Sequence, residues 1–322
     1  MGIFRTTQGP PDALVGPVGL YGKIPARGDF VRIRAGEAVA LGFDCWLEDA
    51  VGALARAGVG LPELPARFVF RPAGFERSLI GVLGPSADHV GRAFPITLFG
   101  SVDSSASSAF PSLPLGSAAF LDSAERLLAQ TATAGVAELG EKVRALSGPD
   151  HRTIAKAPAS CARILAGTNA ASLLARLFGD PGTGTALYAL WTFANACEPL
   201  RGRGIVRGGP MLDCPAPDDT ALLLWLELAR ALLDWPKHSP SFIWTAGPAG
   251  RLLLSLGPLP STALLDLARP QRPNARAWSL RPTVPGATES ARQAASPKLQ
   301  RAAHNPAGTL TDLIAIVAGH KA

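Results

Sequence analysis

The chain has 322 residues, 47% of them hydrophobic and 17% charged, with a formal net charge of +6. That is enough apolar material for one large core or two ordinary ones, and it excludes a disordered protein. The charge is unevenly spread: residues 1–269 hold 24 basic and 23 acidic side chains, residues 270–322 hold 7 and 2. The body therefore lacks the cationic footprint that binding a phosphate backbone requires, and no nucleic acid is expected on it. Cys45, Cys161, Cys197 and Cys214 form no CxxC pair and have no histidines at ligand spacing, so they read as buried free thiols. Met1–Gly16 has no apolar leader core, and no stretch reaches the roughly 18 apolar residues of a membrane span. A cytoplasmic location follows as the expectation.

In chain order, residues 1–16 are a Pro/Gly-rich lead-in, Val18–Ile24 reads as a strand and Pro25–Asp29 as a turn. Val39, Phe43, Trp46, Leu47, Val51 and Leu54 recur three and four apart, which predicts one helix over 38–57 ended by Gly58 and Gly60. Residues 68–71, 79–83 and 94–99 are β-branched or aromatic runs joined by turns too short for a crossover helix, hence antiparallel neighbours. Ser/Ala/Pro-rich residues 104–116 read as a loop between lobes. Helical periodicity follows over 117–131, 136–146 and 159–178, and 187–196 is apolar all round, either strand or buried helix. Residues 219–235 predict a buried helix capped by Asp218 or Asp219, 242–245 and 251–256 a hairpin, and 261–267 a short helix. Beyond Pro270 aliphatic residues are scarce, so 270–307 is expected to be a disordered linker. Residues 308–322 are expected to be a short amphipathic segment that forms only when docked.

Catalytic signatures are missing. No GxxxxGK or GxGxxG occurs at a strand–helix junction, Gly84-Pro85-Ser86-Ala87-Asp88 fails GxSxG at its last position, and there is no HExxH. Asp218-Asp219 stands where a helix N-terminus favours negative charge, which explains it better than a metal. Asp88, His89 and Arg92 fall together before a strand and could move a proton, but a solvated turn accounts for them more simply. No catalytic residue, cofactor or metal is expected; the alternative is an enzyme of unknown reaction built on Asp29, His89 and Arg92.

Two segments stand out. Tyr21-Gly22-Lys23-Ile24-Pro25-Ala26-Arg27-Gly28-Asp29-Phe30-Val31 resembles the YGKLPxxGDF hallmark of the TagF family of type VI secretion proteins, with Trp46 matching a tryptophan of its first helix. Gly91-Arg92-Ala93-Phe94-Pro95-Ile96 is similar to that family's GRxFPL segment. Ile24 and Ile96 replace leucines, changes that conserve volume. A further likeness at Ser241–Thr245 and Leu252–Pro260 extends the resemblance over about 17–269. It implies a bacterial regulator that represses type VI secretion after translation by binding a component such as a forkhead-associated scaffold protein. A structural component of the apparatus is the other reading in that setting.

Physically the segments also explain themselves without a partner. Gly28 would allow a positive φ, Asp29 would accept backbone N–H groups in the turn, Phe30 and Phe94 would anchor the core, and Arg92 would pair with Asp29. The expected fold is α+β: an antiparallel sheet flanked by helices, two lobes (17–103 and 117–269) sharing an interface, and a disordered basic tail.

Overall fold

A computed structural model describes residues 16–72, 74–103, 110–203, 209–235, 237, 239–270, 277–304 and 308–319. The first half runs β1 (Gly19–Gly22), β2 (Val31–Ile33), α1 (Gly36–Ala40), α2 (Phe43–Arg56), β3 (Ala66–Phe70), β4 (Arg77–Gly84) and β5 (Ile96–Asp103). Helices follow: α3 (Leu113–Gly116), α4 (Ala118–Gln130), α5 (Val136–Ala145), α6 (His151–Gly167), α7 (Ala170–Phe178) and α8 (Thr185–Cys197). The chain then adds β6 (Met211–Pro215), α9 (Asp219–Leu232), β7 (Ser241–Trp244), β8 (Arg251–Ser255) and α10 (Ala263–Ala268). It closes with β9 (Ala277–Ser279), α11 (Ala287–Ala294), α12 (Pro297–His304) and α13 (Leu310–Ala318).

The strands form one open nine-stranded sheet in the order β2-β1-β5-β4-β3-β7-β8-β6-β9. Every pairing is antiparallel except β6 with β9. The two halves are stitched by β3 on β7, where Phe68 faces Ile243. The α+β class is as the sequence indicates.

Both faces of the sheet are covered, which is why its strands read as unbroken apolar runs rather than alternating ones. Val69, Ile80, Leu98, Phe242 and Leu254 face the larger helical layer, whose centre is Trp225 of α9. The Trp225 ring stacks on Phe193 at 5.5 Å, and its indole N–H donates to the Pro215 carbonyl at 2.9 Å. Phe68, Phe70, Leu79, Phe99, Ile243 and Leu253 face α1, α2 and α10.

Several local readings change. The helix expected over 38–57 is two, because Gly42 takes a left-handed φ of 71° and breaks it. That expected over 159–178 begins earlier, at the Asp150 cap, and runs through Pro158. It ends at Thr168, and Asn169 caps the next helix by accepting from Ser172 N–H at 2.8 Å. The 187–196 run is the buried helix α8. Of the loop expected over 104–116, residues 104–109 lie outside the described residues, while Phe110 and Leu113 are buried and α3 follows. Cys45 is exposed, unlike the other three cysteines.

The largest correction concerns the tail. Residues 277–304 and 308–319 are folded onto the body: β9 extends the sheet, α12 packs on α7 and α8, and α13 packs on α6, α8 and α9. Leu280, Leu299, Leu310 and Val317 are fully buried. A single aliphatic residue every turn or two, backed by alanines such as Ala291, Ala295 and Ala303, suffices where a helix lies close against its neighbours. Residues 271–276 and 305–307 of the expected linker lie outside the described residues.

Candidate functional site

The two sequence motifs meet at one end of the sheet. β1 pairs with β5 so that Gly22 sits opposite Ile96, which brings the β1–β2 turn and the β4–β5 loop side by side. Gly22 has φ 143°, and a Cβ there would enter the Pro95 carbonyl, so no other residue fits without moving backbone. The loops are laced together by His89 N–H donating to the Arg27 carbonyl at 3.3 Å and Arg92 Nη2 donating to the Gly28 carbonyl at 2.7 Å.

Asp88 is the centre of this junction. Its carboxylate is fully buried and accepts from Lys23 Nζ at 2.9 Å, Arg92 Nε at 2.6 Å, Arg92 N–H at 2.9 Å and Val90 N–H at 3.1 Å. Burial alone would raise its pKa, but the Lys23 hydrogen bond, with those from Arg92 and Val90, outweighs it and holds the carboxyl well below the usual carboxylate range. The Asp88 N–H also donates to the Arg92 carbonyl, and Gly91, at φ 85°, turns the chain between them.

This revises three expectations. Arg92 pairs with Asp88, not Asp29; Asp29 is exposed, and its carboxylate accepts from the adjacent Phe30 N–H at 2.8 Å. Gly28 does not have a positive φ; it is glycine because a Cβ would collide with the His89 ring. Asp88 belongs to a buried ion network and not to a solvated turn. A clue was present in the sequence: Lys23 at the end of a strand destined for burial needs a carboxylate, and Asp88 is the acid next to the second motif.

The remaining motif residues pack around the network. The Tyr21 ring is stacked on Phe30 at 5.5 Å, and Phe94 meets Phe30 edge-on at 4.8 Å. Lys23 Nζ lies 5.3 Å from the Phe30 ring centre. Phe94 and Pro95 are buried, Phe30 is half-buried and Pro25 is exposed. Trp46 belongs to a second aromatic group with Phe43 and Phe70, at 5.7 and 5.9 Å, and its buried indole N–H has no acceptor among the described residues.

Asp29, His89 and Arg92 thus neighbour one another on a surface. A cleft of about 940 Å³ opens elsewhere, lined by Leu61, Leu64, Leu177, Pro217, Arg251 and Arg281 among others, and no motif residue lines it. Among the described residues there is no group of three His, Cys, Asp or Glu placed to hold a metal. No helix among them is long and apolar enough to cross a membrane.

Residues 19–146 match the model of the TagF N-terminal domain, a type VI secretion system-associated domain, and the matched stretch takes in β1 to β5, both motifs and Trp46. No curated protein matches the chain. Among solved structures it is similar to PA0076 from Pseudomonas aeruginosa PAO1, at 19% identity and a TM-score of 0.47, over 83% of this chain and all of that one.

Proposed function

We propose that the protein is a cytoplasmic, non-enzymatic accessory regulator of a bacterial type VI secretion system, which represses secretion by binding a component and withholding it from assembly. The TagF N-terminal domain over 19–146 carries this reading. A forkhead-associated scaffold protein is the kind of component the family resemblance implies. Sequestration needs no chemistry: a partner held in one complex is removed from another by mass action. The motif residues, from Tyr21 to Phe30 and from Gly91 to Pro95, serve this function by building a fixed surface.

Deletion and overproduction in the native host test the reading, with the secretion activity of the system as readout. Deletion is expected to raise secretion and overproduction to abolish it. Deletion that abolishes secretion would instead make the protein a structural part of the apparatus.

A further inference from the structure

The Asp88 network is an expensive way to hold a loop. A buried ion pair contributes less than apolar packing of similar volume, so its value lies in fixing geometry rather than in net stability. What it fixes is unusual: Val90, at the tip of the β4–β5 loop, is 60% exposed, and its own backbone N–H is pinned by Asp88. An exposed aliphatic side chain on a mobile loop would be unremarkable. On a loop locked by four hydrogen bonds to one buried carboxylate it is a presented side chain.

Cations flank it. Arg92 has a 63% exposed side chain, with Nε on Asp88 and Nη2 on the Gly28 carbonyl. Arg27 is exposed, its carbonyl receives the His89 N–H, and it makes no ion pair among the described residues. Lys23 neutralises Asp88, which leaves Arg92 as surplus positive charge, and the exposed Asp29 offsets part of Arg27. Arg32 lies 5.5 Å from the Tyr21 ring, where Glu48 and Asp44 of α2 also act on that phenol and balance it. The net charge around Val90 is therefore positive, carried by the guanidinium groups of Arg27 and Arg92, the Nε–Nη2 edge of Arg92 being already engaged by Asp88 and the Gly28 carbonyl.

We propose that this loop face, Val90 flanked by Arg27 and Arg92, is the contact surface of the protein, and that it takes a partner-protein segment in which carboxylates flank an apolar side chain. Arginines are enriched at protein interfaces and among the residues that carry their binding energy. Their planar donors match carboxylates better than lysines would. The proposal rests on the binding function above and gives that binding its surface and chemistry.

The test uses the full chain and a short fluorescein-labelled peptide of Glu and Asp around a central Leu, read by fluorescence anisotropy. The peptide is expected to bind at low salt and to weaken as salt rises. Arg27→Glu and Val90→Asp change side chains that make no bond to Asp88, Val90 joining that network only through its backbone N–H. Each is expected to weaken peptide binding by roughly tenfold or more at unchanged melting temperature. Undiminished binding by both variants, or no binding by the unaltered chain, overturns the proposal. Equal affinity for a duplex DNA of the same length does so as well, since it would mark a general polyanion surface. If the peptide fails while overproduction still represses secretion, this surface is wrong and the regulatory reading survives.

Discussion

The motif end of the sheet and the C-terminal layer are built on opposite plans. At the motif end, one buried carboxylate gathers two cations and two backbone N–H groups and locks two loops together. In the C-terminal layer, β9 and α11–α13 are held mainly by thinly spread apolar anchors and many alanines. The first concentrates its specificity in a few polar atoms, so single substitutions should matter. The second distributes it, so only removal of the whole layer should.

The largest effect is expected from that removal. Leu280, Leu299, Leu310, Leu313 and Val317 are at most 1% exposed. Each contributes about 1.5–3 kcal/mol by burial. Ordering the segment offsets part of this, but a chain ending at Arg269 would also uncover the faces of α6 to α9 on which α12 and α13 lie. Summed over the anchors the loss rivals the roughly 5–15 kcal/mol net stability of a whole protein. The truncated chain is expected to be aggregated or without a cooperative melt by circular dichroism. A melt matching the full chain would show that the layer is an appendage.

Asp88→Ala comes next, because it leaves Lys23 without its partner and frees the β4–β5 loop. It is expected to lower the melting temperature several times more than loss of Asp29 does. The pH dependence sharpens the point. The Asp88 carboxyl sits below its unfolded value of about 3.9, so its contribution is complete above that pH and is lost as pH falls through the folded value. Unaltered protein should lose stability steeply below about pH 4, and Asp88→Asn should show a shallower slope there. Parallel slopes would mean that Asp88 is not what titrates.

How much of this was legible differs between the two regions for physical reasons. The strands β3, β4 and β5 and the helices α4, α5 and α9 announce themselves by period and punctuation, and both motifs were visible as segments. Which acid held the motifs together was not, because Asp29 and Asp88 are equally acidic in sequence and only the pairing of Gly22 with Ile96 sets Asp88 beside Lys23. The C-terminal layer was misread because composition counts aliphatic residues and not their placement. Leu299 and Leu310 are far apart along the chain, yet they enter one core once α12 and α13 pack together. β2 and β9, at three residues each, carry too little pattern to be read without their neighbours, and β6 is interrupted by Asp213 and ends in Pro215, residues that argue against a strand.

Gly28→Ala should have an intermediate effect. The added methyl collides with the His89 imidazole, an exposed ring that can swing away, so the expected cost is about 1 kcal/mol. His89→Ala removes the obstacle while keeping its backbone bond to Arg27, so the double variant should recover most of the loss. Additive losses in that cycle would place the demand for glycine in the backbone instead.

Asp29→Ala is expected to do least to stability. By its place in the turn it would be the motif's structural acid, and its loss would then cost about 1–2 kcal/mol. The structure gives it one hydrogen bond, from the N–H of the next residue, in an exposed position where water replaces the lost acceptor at once. The change in stability should fall within about 0.5 kcal/mol, the range of surface substitutions away from special features. Asp29 is also exposed in the same turn as Arg27, two residues away, so its negative charge opposes capture of a carboxylate there. Removing it should therefore leave the melting temperature unchanged and modestly tighten binding of the acidic peptide. A drop in melting temperature comparable to that of Asp88→Ala would return the structural role to Asp29 and erase the contrast between the two acids.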